Sequence, residues 1–168
     1  MTDSSFADIL RANDDYAAGF RLAGLRPEAA RGLGILTCMD SRIEPLALLG
    51  LVPGDAKILR NAGARVTDDA LRSLVLGIHL LDVERIAVIA HTRCAMTTAT
   101  DEELRAEITE RAGASAEGWA FHAVPDQVET LRSDLAILRA CPLVPAHVVL
   151  GGFVYDVDTG RLSHEVDA

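Results

Sequence analysis

Residues 86–90 read Ile-Ala-Val-Ile-Ala, an apolar run with no polar alternate. A strand with one face in water alternates polar and apolar side chains, whereas an uninterrupted apolar run fits a central parallel strand covered by helices on both faces. The rest of the chain supplies the helices that such a strand needs. Residues 5–20 carry Phe6, Ile9, Leu10, Tyr16, Ala17 and Phe20 at spacings of three and four among charged residues. A second stripe, Leu71, Leu74, Val75, Ile78 and Leu81, predicts a helix over 69–82 with Thr67 or Asp68 as its cap. Thr100 and Glu103 form a capping-box pattern that opens a third helix. Pro125 starts a fourth, reaching about residue 140, with Val128, Leu131, Leu135 and Leu138 facing inward.

Between the helices lie short apolar strands at 34–38, 57–60, 85–90 and 147–150, with a helical turn over 45–49. Gly151 and Gly152 are expected to break the last strand and to form a bend rather than a phosphate loop. A hairpin follows, 153–157 and 161–166, around Asp158, Thr159 and Gly160. Strand and helix in alternation imply an α/β fold: a single domain over 1–168 with a mostly parallel central sheet flanked by helices.

The 168 residues suffice for one core, burying roughly 70% of the surface an unfolded chain of this size exposes. A net charge of −9 and a pI near 4.9 lack the basic footprint of a phosphate-binding protein, so nucleic acid is not an expected partner. No apolar stretch reaches the roughly 20 residues of a membrane span, and the N-terminus lacks the pattern of a secretory leader. Three cysteines, an odd number set far apart, fit reduced thiols in the cytoplasm better than a disulfide framework.

Two strands end in residues that carry chemistry. Cys38, Asp40 and Arg42 close the run at 34–38, and His91 and Cys94 close the run at 85–90. In open parallel sheets the carboxyl ends of the strands are where ligands bind. Two thiolates and an imidazole delivered there make the three-ligand set of a catalytic zinc with an open fourth position. Two rivals stand beside that reading. Cys38 and Cys94 as a redox pair leave His91 unexplained, and a closed structural zinc needs a fourth ligand, for which Cys141 is the one cysteine left. Cys141, before Pro142, reads as a small packed apolar residue. His79, His122, His147 and His164 are scattered and read as packing or surface residues, and Trp119 reads as core or interface.

With C-x-D-x-R at 38–42 and H-x-x-C at 91–94, the chain resembles the β-class carbonic anhydrases, in particular their compact bacterial and archaeal branch. Arg60, Asn61, Ala62 and Gly63, the Arg72-Ser-Leu stretch, Met96 and the closing segment from Gly152 to Gly160 extend the likeness from about residue 14 onward. The resemblance implies that Cys38, His91 and Cys94 hold one Zn2+ per subunit and that Asp40 and Arg42 are the catalytic dyad. It also implies reversible hydration of carbon dioxide to bicarbonate by attack of a zinc-bound hydroxide. Asp40 would accept a hydrogen bond from that hydroxide, and the Arg42 fork would keep Asp40 ionised and oriented. Because two thiolates cancel the formal charge of the ion, its water should be less acidified than on an all-histidine site. In this family the aspartate can also swing onto the zinc at low pH, so activity is expected to rise with pH.

Two positions depart from the family pattern. Ala95 stands where a glycine usually follows the second cysteine, and Arg93 stands where this branch often has aspartate. Alanine would strain the loop if position 95 needs a positive φ, and would cost nothing if the backbone there is helical. Arg93 either adds positive potential at the mouth of the site or points to solvent. The resemblance further implies a homodimer, which can pair into a tetramer, with the N-terminal helix packed on the neighbour. Hydrolases of carbonyl sulfide or carbon disulfide share the same motifs and are the alternative reading, with a non-catalytic zinc-binding protein as a third.

Overall fold

The strands are β1 (Leu33–Cys38), β2 (Ala56–Asn61), β3 (Arg85–His91), β4 (Val149–Tyr155) and β5 (Leu162–Asp167). They form one sheet in the order β2-β1-β3-β4-β5, with β1 to β4 parallel and β5 antiparallel to β4. The computed structural model describes residues 5–168. Chain order reverses at β1, since β2 lies on one side of it and β3 on the other. Such a reversal leaves a crevice between the carboxyl ends of two neighbouring strands, because their following connections leave in opposite directions. Cys38 is the last residue of β1 and His91 the last of β3.

Helices α3 (Asp68–Leu80) and α5 (Gln127–Ala140) bury their apolar stripes on one face of this sheet. Leu74 from α3 and Leu131, Leu135 and Leu138 from α5 meet Leu36, Ile86, Val88 and Leu150 in the main core. Removal of any one of these side chains from water is worth about 1.5–3 kcal/mol, so this layer fixes the sheet. Thr67 is the cap of α3, its hydroxyl accepting the Ala70 N–H at 3.4 Å. The opposite face carries a smaller cluster of Ile35, Ala87 and Ile89, edged by Leu49, Leu51 and Phe153, which remain partly exposed. Leu49 and Leu51 follow the single-turn helix α2 (Pro45–Leu48).

α4 (Asp101–Ala112) opens with the expected capping box between Thr100 and Glu103 and closes on Gly113 in the left-handed conformation. α1 (Ala7–Ala18) contains no buried residue, and Ile9, Leu10, Tyr16 and Phe20 stand exposed on or just after it. Among the described residues, no helix is long and apolar enough to cross a membrane.

The glycine pair is a correction to the sequence reading. β4 continues through Gly151 and Gly152 to Tyr155, pairing with β3 along its whole length, and the irregularity at the glycine pair is confined to a register shift against β5 between Gly152 and Phe153. Glycine weakens an isolated strand, but here side chains fill the missing space. A Cβ on Gly151 would lie 2.9 Å from the Phe153 ring, and one on Gly152 would lie 3.2 Å from Val166 and 3.3 Å from Leu131. The close approach of α5 and of the hairpin partner therefore replaces what the strand loses. α5 starts two residues later than its proline predicts, because Asp126 accepts the Glu129 N–H at 3.0 Å and acts as the cap.

Candidate metal centre

The crevice between β1 and β3 brings Cys38, His91 and Cys94 together. Their ligand atoms all lie within 4.8 Å of one another, and all three residues are buried. The two sulfurs are 3.9 Å apart. That is far beyond the ~2.05 Å of a disulfide and close to the ~3.8 Å that two sulfurs keep at a tetrahedral zinc with Zn–S bonds of about 2.3 Å. Among the described residues this trio is the one group that can hold a metal ion.

The imidazole is oriented for that task. His91 Nδ1 donates to the Thr92 carbonyl at 2.9 Å, which fixes the tautomer and leaves Nε2 as the free lone pair. Nε2 is buried and has no hydrogen-bond partner. Burial of an unpartnered polar atom costs about 1–3 kcal/mol, and a metal in the trio would remove the deficit. The sequence-predicted ligands thus fit a zinc ion chemically. Cys141 takes no part: it sits at the end of α5, packed against the main core.

As thiols, the cysteine pair shares its charge unequally. The hydrogen bond from Cys94 holds Cys38 far below the ordinary thiol range, against the effect of burial, with help from His91 and the Gly63 N–H. That same bond, then burial, drives Cys94 upward. Burial lowers His91, but its interaction with the Cys38 thiolate and Asp40 outweighs burial and leaves it raised. A metal ion would take over this pairing by replacing the shared proton with a divalent charge.

Asp40 and Arg42 form the second half of the site. Arg42 Nε donates to Asp40 Oδ1 at 2.9 Å and Arg42 Nη2 to Oδ2 at 2.7 Å, a two-pronged fork, while the Arg42 backbone N–H also reaches Oδ1 at 2.9 Å. The guanidinium bonds, then the backbone amide, hold the carboxyl well below the usual carboxylate range. Asp40 Oδ2 stands 3.9 Å from His91 Nε2, beside the position a metal would take. Arg42 Nη2 donates in addition to the Arg93 carbonyl at 3.1 Å, which links the two strand-end loops.

That link explains the two departures. Ala95 begins a 3-10 turn (Ala95–Thr97) and is not among the residues at positive φ, so alanine is unstrained there. The left-handed residue is Arg93, at φ 54°. Its backbone turns the chain between His91 and Cys94 and aims its carbonyl at Arg42. Its side chain pairs with Asp158 in the hairpin turn, so the positive charge beside the site is locally balanced.

Several supporting groups were not legible as such in the sequence. Arg60, at the end of β2, donates to the Cys38 carbonyl at 2.9 Å and to the Asp40 carbonyl at 2.6 Å. The Gly63 N–H points at Cys38 Sγ at 3.4 Å. Gln127 Nε2 donates to the His91 carbonyl, and Thr92 bonds both Asp156 and the Val157 N–H. The remaining histidines lie outside the cluster: His79 bonds the Leu143 carbonyl at 2.8 Å, and His164 stacks on Phe153. Trp119 is exposed and stacked on Phe121 rather than buried in the core.

Comparison with known proteins agrees with this geometry. The profile of the carbonic anhydrase family matches residues 33–113, the span that holds all five residues of the sequence-predicted site. β-Carbonic anhydrase 1 of Mycobacterium tuberculosis is 38% identical over 156 residues, covering 93% of this chain and 94% of its own. The chain belongs to the β-carbonic anhydrase family. The crystal structure of carbonic anhydrase from Streptococcus mutans superposes with a TM-score of 0.93 at 38% identity, over 99% of this chain and 100% of that one. Members of the family differ in the reaction in their names, however: a carbon disulfide hydrolase of Acidianus sp. is 34% identical, covering 91% of this chain and 85% of its own.

Proposed function

We propose that this chain catalyses the reversible hydration of carbon dioxide to bicarbonate, with one Zn2+ per subunit held by Cys38, His91 and Cys94 and with Asp40 and Arg42 as the catalytic dyad. The observation that carries this reading is the unpartnered His91 Nε2 beside two sulfurs at a tetrahedral spacing, with the fixed Asp40 carboxylate 3.9 Å away. Zinc, when bound, supplies the acidification that makes water a nucleophile near neutral pH. The chain's own residues do the rest. Asp40, ionised and clamped by Arg42, accepts the O–H of the attacking water and so turns an oxygen lone pair toward carbon. Arg42 cannot deprotonate and holds that carboxylate at two points, so the acceptor does not rotate away. Ile43, Leu48, Met96 and Tyr155 pack with the two cysteines and provide an apolar wall suited to a small uncharged substrate.

The proposal includes a cytoplasmic homodimer, able to pair into a tetramer, formed from copies of a single 1–168 domain. The fully unburied α1, with Ile9, Leu10 and Tyr16 exposed, supports a second copy as the surface that covers it.

The test is stopped-flow hydration of carbon dioxide by zinc-loaded protein from about pH 6.5 to pH 9, a range that starts below the pKa near 7 of an all-histidine zinc water and extends above it, where a water less acidified by two thiolates should titrate. The rate is expected to rise with pH and to fall by about 10²–10⁴ in Asp40→Ala. Background hydration with zinc bound would overturn the proposal. The carbon disulfide hydrolase relatives favour one alternative on the same residues, and release of sulfide from carbonyl sulfide or carbon disulfide in a parallel assay would identify it.

A further inference from the structure

α5 buries an acid on its apolar face. Asp134 is 1% exposed and sits next to Leu135 and one turn from Leu131 and Leu138, where an apolar residue would be expected. Its carboxylate is fully engaged. Arg65 Nε reaches Oδ2 at 2.9 Å, Arg65 Nη2 reaches Oδ1 at 3.1 Å, and the Val66 N–H reaches Oδ2 at 3.2 Å. A buried ion pair is not a cheap way to stabilise a core, because an apolar pair of the same volume often does as well or better. Its geometry here is directional, and the direction leads to the site.

Arg65 ends the short segment that begins at Asn61, the last residue of β2. The Asn61 side chain brackets it, accepting the Arg65 N–H at 2.8 Å and donating to the Arg65 carbonyl at 2.7 Å. Between these two residues the chain makes a 3-10 turn (Ala62–Ala64) in which Gly63 sits at φ 78° and aims its N–H at Cys38 Sγ, 3.4 Å away. On the other side of Gly63 the space is closed, since a Cβ there would lie 3.0 Å from Val124 and 3.4 Å from Met96. The wall carrying Val124 is tied to the same guanidinium, because Arg65 Nη1 donates to the His122 carbonyl at 3.1 Å. One buried carboxylate thus fixes both the loop that presents the amide and the wall behind it.

We infer that Asp134 and Arg65 are positioning residues for the metal centre: they hold the Gly63 amide on the Cys38 thiolate and so set the strength of that ligand. The inference rests on the reading of Cys38 as a metal ligand. An N–H bond to a thiolate withdraws electron density from sulfur, and groups one layer behind the ligands typically change metal affinity by about 10–100-fold. When the pair is broken the amide is free to drift, and the sulfur becomes more electron-rich and less well placed.

The experiment uses full-length protein loaded with Co2+, whose thiolate-to-metal charge-transfer band reports directly on the sulfur, together with zinc affinity measured by competition with a chelator. Wild type, Asp134→Asn, the uncharged double variant Arg65→Met/Asp134→Leu and Cys38→Ser are compared, with circular dichroism as the check of folding. The double variant removes both charges, so no unpaired ion remains to unfold the core. In Asp134→Asn and in the double variant the band is expected to move to longer wavelength, with zinc affinity about 10-fold weaker. A band and an affinity equal to wild type in either folded variant would overturn the inference and leave the pair as packing alone. If wild type itself gives no thiolate band and matches Cys38→Ser, the metal reading fails, and the inference with it.

Discussion

The two strand ends that meet at the site are held by different kinds of force. The β1 end, Cys38 to Arg42, is supported by groups distant in sequence: Arg60 clamps the carbonyls of Cys38 and Asp40, and the Gly63 amide reaches the Cys38 sulfur. The β3 end, His91 to Cys94, is supported by a tight turn and by the neighbouring hairpin, through Thr92, the left-handed Arg93 and the Arg93–Asp158 pair. The first set reaches inward: the Gly63 bond to Cys38 is buried, and the loop that carries it is held by the Arg65–Asp134 pair. The second lies nearer the surface: Thr92 and Asp156 are partly buried, and Arg93 and Asp158 are exposed. Strand ends that meet at one site need not be equally shielded: the Arg65–Asp134 pair behind the β1 end is buried, whereas the Arg93–Asp158 pair at the β3 end lies in solvent, where salt screens it.

The sharpest break of the β1 end is Gly63→Ala. At φ 78° an alanine is strained by about 1–2 kcal/mol. The added methyl would also sit 3.0 Å from Val124, so neighbour and loop must move apart. Urea unfolding should show a loss of about 2–5 kcal/mol, the sum of backbone strain and overpacking, together with weaker metal retention. A variant with wild-type stability and metal content would mean that the loop takes a methyl at position 63 without moving its amide off Cys38.

The β3 end is expected to respond to acid. Asp156 accepts the Asp158 N–H at 2.8 Å and lies 3.5 Å from the Thr92 hydroxyl, and the Asp158 amide, opposed by slight burial, lowers its carboxyl below the ordinary value. A lowered folded-state pKa means that the carboxylate adds stability at all pH values above its unfolded pKa of about 3.9, and that this stability is lost as pH falls through the folded value. Asp156→Asn should therefore melt below wild type at neutral pH, with a gap that closes in acid. A gap independent of pH would show that charge on Asp156 does not hold the hairpin against the site.

Much of this arrangement can be read from the chain alone, for reasons that are local. The apolar run at 86–90 signals the central strand because its periodicity is a property of neighbouring residues, and the Thr100 capping box signals α4 for the same reason. The candidate metal cluster is legible because Cys38 and His91 each end a strand and Cys94 follows three residues after His91. What escapes the sequence is long-range. Gly151 and Gly152 read as a break because nothing local shows that Phe153, Val166 and Leu131 occupy the space beside them. Nothing local marks Asp134 as a buried residue, because its partner is Arg65, far off in the chain. The clamp by Arg60 depends on β2 and β1 lying side by side, with Asn61 in register with Cys38.

Arg93→Gly should be the mildest perturbation, and its smallness is informative. Glycine adopts φ 54° freely, so the strain of a left-handed arginine, about 1 kcal/mol, is relieved. Against this stands the loss of an ion pair whose side chains are 61% and 59% exposed, worth about 0–1 kcal/mol and screened by salt. Glycine also adds entropy to the unfolded chain, by roughly 0.5–1 kcal/mol. These contributions nearly cancel, and thermal unfolding should place the variant within about 1 kcal/mol of wild type. The Arg93 carbonyl belongs to the backbone and survives the substitution, so the Arg42 contact it receives should persist and the metal content should be unchanged. If metal were lost instead, the exposed Arg93–Asp158 pair would be what shapes the turn, and the β3 end would depend on charge at its surface rather than on the course of its backbone.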